Sequence, residues 1–69
     1  MTKAWRFYIQ VMATFKLYEE ARIDLVEVAR QIEESYLWVY GQRKTVKQLV
    51  GHYNRQDLQF FFWLATRNS

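Results

Sequence analysis

The chain has no cysteine, no proline, one histidine and only two glycines in 69 residues. Without cysteine no disulfide can hold it together. A chain this short is one domain at most, and it must be stabilised by burial alone or by association with another chain. One His and no Cys leave too few groups for a metal site or a nucleophilic relay. The aliphatic hydroxyls are those of Ser35, Ser69 and four Thr. The adjacent carboxylates Glu19-Glu20 and Glu33-Glu34 would diverge by about 100° on a helix and could not clasp one substrate. The expectation is therefore a non-enzyme without cofactors or metal. There is no apolar run of the roughly 18 residues needed to span a bilayer. Lys3 and Arg6 are not followed by a smooth apolar core and a small-residue cleavage site, so no signal peptide is expected. A soluble, cytoplasmic protein is the resulting expectation.

What the chain has in abundance is rings. Three Trp, five Tyr and five Phe make 19% of the residues aromatic, within a hydrophobic fraction of 51%. That composition excludes a disordered tail. A domain of this size buries only about 60% of the surface that its unfolded chain exposes. So small an interior predicts that part of the apolar surface lies at an interface, with Trp5, Phe7, Phe60, Phe61 and Trp63 as its residues. A homo-oligomer, most simply a dimer, follows.

The pattern along the chain is helical, with no persistent two-residue alternation. Thr2 is placed to cap a first helix over 3–20, where Trp5, Tyr8, Ile9, Met12, Phe15 and Tyr18 follow helical spacing and Phe7, Val11 and Leu17 lie off that stripe. Ala21-Arg22-Ile23 reads as a break. Asp24 with Glu27 resembles a capping box, and Ile23 is placed to staple against Val28. Leu25, Val28, Ala29, Ile32, Tyr36, Val39 and Tyr40 then keep a helical period through 24–40, up to a C-terminal glycine, Gly41. Thr45 caps a short helix over 45–50 that ends at Gly51. Asn54 caps a last helix over 55–67, with Leu58, Phe61, Phe62 and Ala65 on one stripe. The fold class is all-α, a small bundle of three to five helices completed by oligomerisation.

Charge is unevenly divided. Residues 1–35 carry five cations and six carboxylates, whereas residues 36–69 carry five cations and Asp57 alone. The second half is thus net +4, a balance that suits a polyanion as well as an ordinary solvated helix surface. The polar stretch 42–59 gathers Arg43, Lys44, Lys47, His52 and Arg55 with Gln42, Gln48, Asn54, Gln56 and Gln59. Tyr40 and Tyr53 interleave it and would suit stacking on single strands.

Residues 23–43 resemble the helix-turn-helix of phage-repressor-like DNA-binding domains. Ala29 stands where that family has a small residue, and Val39 where an apolar residue ten positions later packs the second helix on the first. Val28 and Ile32 fall at core positions, and Ser35 would cap the recognition helix. The resemblance implies DNA binding by a dimer. The chain departs from the pattern at Glu33, where the family has Gly, and at Glu34 and Gln42, where it has apolar residues. One uninterrupted amphipathic helix accounts for the same spacing. A second, looser resemblance to the same motif covers 45–63, with Asn54 at the turn and Phe60 and Phe61 on the second helix.

Two functions are consistent with these residues. One is a small dimeric nucleic-acid-binding regulator with its basic face at 42–55, contacting nucleic acid through Arg43, Lys44, Lys47, His52 and Arg55. The other is a protein-interaction module, either a self-assembling helical bundle or a small adaptor or inhibitor docking its aromatic face on a larger protein.

Overall fold

The computed structural model describes residues 1–68. Four helices follow one another: α1 (Lys3–Glu19), α2 (Leu25–Tyr40), α3 (Val46–His52) and α4 (Gln56–Ala65), with a 3₁₀ turn over Thr66–Asn68. There is no strand among the described residues. α1 packs on α2, α4 packs on both, and α3 packs on α4 and α2.

The helix ends explain the boundaries. The Thr2 hydroxyl accepts the Trp5 N–H at 3.1 Å and the Asp24 carboxylate accepts the Glu27 N–H at 2.9 Å. α1 is terminated without glycine. The Ala21 N–H donates to the Tyr18 carbonyl and the Arg22 N–H to the Leu17 carbonyl, the two bonds of a Schellman motif. Ala21 takes the left-handed position of that motif with φ 58°. α2 ends as expected on Gly41, with φ 72°. It runs unbroken through Glu33, Glu34 and Ser35, so the turn implied by the resemblance over 23–43 is absent and Ser35 caps nothing. A helix, a three-residue turn and a second helix occur instead at α3, Tyr53–Arg55 and α4. Three expected boundaries shift, one of them the end of the last helix, where α4 passes at Ala65 into the 3₁₀ turn instead of running to 67. α3 continues through Gly51 to His52, and the N-cap of α4 is Arg55, without a side-chain cap, rather than Asn54.

The core closes within one chain. Phe7, Val11, Phe15, Val28, Ala29, Ile32, Val39, Val46, Leu49, Leu58, Phe62 and Ala65 are buried. At its centre Phe7 meets Tyr36, Tyr53 and Phe62 with ring centroids 5.5, 5.2 and 6.0 Å away. The Tyr40 and Tyr53 hydroxyls meet at 2.7 Å, so two phenols enter the interior with their polar atoms paired. Of the residues expected at an interface, this ring cluster takes in Phe7. It also re-aims α1. The buried face of that helix is Phe7, Val11, Thr14 and Phe15, while Trp5 and Ile9, on the stripe favoured by spacing, are exposed.

Candidate nucleic-acid interface

α3 is seven residues long, too short to persist alone. It is held by burial of Val46 and Leu49 and by dense capping. The Thr45 hydroxyl accepts the Gln48 N–H at 3.2 Å, and the Gln48 carboxamide oxygen accepts the Thr45 N–H at 2.9 Å. Glu33, reaching across from α2, accepts the Val46 N–H at 3.0 Å. The amide end of α3 is therefore filled by oxygens of the chain itself. An anion approaching this part of the surface must be met by side chains.

Those side chains are cationic. With Val46, Leu49, Val50 and Tyr53 turned towards the core, helical spacing puts Lys47, Gln48, Gly51 and His52 on the outer face of α3, and all four are exposed. Arg43 is exposed and Lys44 half-buried in the loop that leads into it. Among the described residues none of Arg43, Lys44 or Lys47 pairs with a carboxylate; the ion pairs formed are those of Arg30 with Glu27 and Glu34 and of Arg55 with Asp57. A methyl group on Gly51 would meet nothing within 4 Å. No packing demand accounts for a glycine there, and the backbone of α3 lies bare between Lys47 and His52.

Arg55 stands apart from this group. Its guanidinium lies 4.5 Å over the Tyr8 ring, and its Nε donates to Asp57 at 2.9 Å. It fastens the start of α4 to α1. Tyr40 and Tyr53 also turn inward to the ring cluster, so neither offers a face for stacking. Burial and the Tyr40 hydroxyl push the Tyr53 phenol well above the ordinary tyrosine range.

The five residues expected at an interface divide in the same way. Phe7 is wholly buried inside the chain and presents nothing to a partner. Phe61 is half-buried against Phe15, with ring centroids 4.5 Å apart. Trp5, Phe60 and Trp63 are 46%, 61% and 52% exposed, and Trp38, which spacing along α2 did not single out, is 76% exposed. All three tryptophans thus lie on the surface. Trp38 borders an open groove of about 720 Å³ with Gln10, Gln31, Glu34 and Ser35. Arg67 covers the Trp63 ring at 5.1 Å.

No helix among the described residues is long and apolar enough to cross a membrane. No family model matches the chain, and no curated protein and no solved structure matches it.

Proposed function

We propose that this chain is a small helical nucleic-acid-binding protein that grips the phosphate backbone with Arg43, Lys44, Lys47 and His52. The observation that carries the reading is the set of three cations on one loop and one helix face, without carboxylate partners among the described residues. Charges left unpaired in the fold are available to displace the counterions of a polyanion. The bare backbone at Gly51 allows close approach. Of the exposed side chains of α4, Phe60 and Trp63 are apolar, Asp57 is held by Arg55, and Gln56 alone suits reading a base edge in a duplex groove. Contact is therefore mainly with phosphate.

The test is fluorescence anisotropy of labelled single-stranded and duplex oligonucleotides at low salt. Salt-sensitive binding is expected. The Arg43→Ala, Lys44→Ala, Lys47→Ala triple variant weakens it on all sequences alike, since phosphate contacts carry no sequence information. Absence of binding at tens of micromolar, or a triple variant that binds like the parent chain, contradicts the reading.

A second reading, a protein-interaction module, is favoured by the exposure of Trp5, Trp38 and Trp63. Tryptophan is the side chain most concentrated in the centres of protein interfaces. Replacing Trp38 and Trp63 with Ala should remove binding of a dye for apolar surface while leaving nucleic-acid affinity to the basic face.

A further inference from the structure

We infer that the outer face of α1 is a self-association surface on which a second copy of this chain docks antiparallel about a two-fold axis. The inference does not depend on nucleic-acid binding, because its residues lie on a different helix from the basic face.

Three observations lead to it. The first is the face itself. Trp5, Ile9, Ala13, Lys16 and Glu20 recur at helical spacing on the side of α1 turned away from the core, and all five are exposed. The apolar half is anchored. Trp5 stacks on Tyr8 at 5.3 Å, and Arg55 lies over that same Tyr8 ring, so the Trp5 indole is held in place before any partner arrives. A ring fixed in advance loses little freedom on binding.

The second observation is the charge layout. Apart from Lys16 in the last turn, the two ends of α1 differ in charge: the first turn has no acidic residue and holds Lys3 and Arg6, and Glu19 and Glu20 sit at the other end. That is the reverse of what the helix dipole favours, so within one chain the arrangement is unfavourable. Among the described residues none of Lys3, Arg6, Lys16, Glu19 and Glu20 forms an ion pair. On α2, by contrast, Glu27, Arg30 and Glu34 pair with one another.

The third is symmetry. A parallel pair of α1 helices would set basic end on basic end. An antiparallel pair sets each basic end beside the other copy's acidic end. Two-fold rotation brings like flanks together, and helical spacing places Arg6 and Glu20 towards the same flank. Arg6 of each copy then meets Glu20 of the other. Ile9 meets the methylene stem of Lys16, and Ala13 lies near the axis, where its small side chain permits an interaxial distance of about 8–10 Å. The charge pattern thus specifies a second copy, in one orientation, as the occupant.

Sedimentation velocity across a concentration series, without nucleic acid, tests this. The parent chain should shift from monomer to dimer, and Ile9→Glu should abolish the shift. Arg6→Glu should weaken dimerisation roughly tenfold, since two exposed attractions become repulsions. Arg6→Glu combined with Glu20→Arg should restore it. Circular dichroism confirms that these surface variants keep their helices. A chain that stays monomeric throughout, a dimer unaffected by Ile9→Glu, or a double swap that fails to restore association would each overturn the inference. None of those results bears on anisotropy with oligonucleotides, so the two proposals fail separately.

Discussion

Phe7 sits where the rings of Tyr36, Tyr53 and Phe62 converge, and it is inaccessible to solvent. Phe7→Ala should cost about 3–5 kcal/mol, the range for emptying a buried aromatic site. Total stability for a small domain is itself only about 5–15 kcal/mol, so most or all of it is lost in a urea titration. The Tyr40–Tyr53 hydroxyl pair links this cluster to pH. The folded Tyr53 phenol is pushed above its ordinary value, by burial first and by the Tyr40 hydrogen bond second. Its contribution is therefore fully present below about pH 10, where tyrosine is neutral in the unfolded chain, and is lost as pH rises above that. Urea midpoints should fall between neutral and strongly alkaline pH, and Tyr53→Phe should flatten that fall. On the acid side, the hydrogen bonds of Arg30 and Gln31 hold the Glu27 carboxyl down to about 2. Its side chain is partly exposed and its Arg30 partner more so, so any stability it adds above its unfolded pKa and loses on acidification is weakened by solvent screening. None of this ring geometry was legible in the sequence. Spacing alone favours the stripe of Trp5 over Phe7, and the choice is reversed by α2 and α4, which present Tyr36, Tyr40 and Phe62 to one side of that helix.

Helix ends were the most legible elements, because a cap is decided by a few adjacent residues. Thr2, Asp24, Thr45 and Gly41 all do what their chemistry dictates. Thr45→Ala should remove one side of the α3 capping box and cost about 1 kcal/mol. The two glycines predict opposite outcomes. Gly41 has φ 72°, so Gly41→Ala should destabilise by about 1 kcal/mol. Gly51 lies in a right-handed helix with open space around it, so Gly51→Ala should stabilise by about 0.5 kcal/mol. If Gly51 also admits a close-lying phosphate backbone, the same variant should bind oligonucleotides more weakly while melting later. The end of α1 was legible as a break but not as a motif. A Schellman turn is recognised by its glycine, and here Ala21 stands in that place with φ 58°. Ala21→Gly should raise the urea midpoint. The long period of α2 was compatible with a helix-turn-helix because both readings ask for apolar residues at the same positions. Glu33 distinguishes them, since it continues the helix and spends its carboxylate on the first amide of α3.

At the scale of the whole molecule, the uncommitted cations of the second half sit on α3 and the loop before it, while the exposed tryptophans sit on α1, α2 and α4. The cations of the second half do not act together. Arg55 is bound to Tyr8 and Asp57, Arg67 covers Trp63, and the uncommitted group is Arg43, Lys44 and Lys47. The basic half was visible in the sequence as a count. Which of its members are free required the contacts of α1 and α4, which are distant along the chain. The aromatic content was visible too, but which rings enter the core was not: Phe7, Phe62 and the paired tyrosines Tyr40 and Tyr53 pack inside, and Trp5, Trp38, Phe60 and Trp63 remain exposed. What stays outside is mainly tryptophan.

The central claim is that the free cations are there for phosphate, and the salt dependence of binding tests it most directly. The logarithm of the association constant should fall linearly with the logarithm of salt concentration. The slope expected for three neutralised phosphates is about −2.7 on duplex DNA and about −2 on single strands. The Lys47→Ala variant should reduce that slope by nearly one. A slope near zero, or no binding at low salt, would contradict the account.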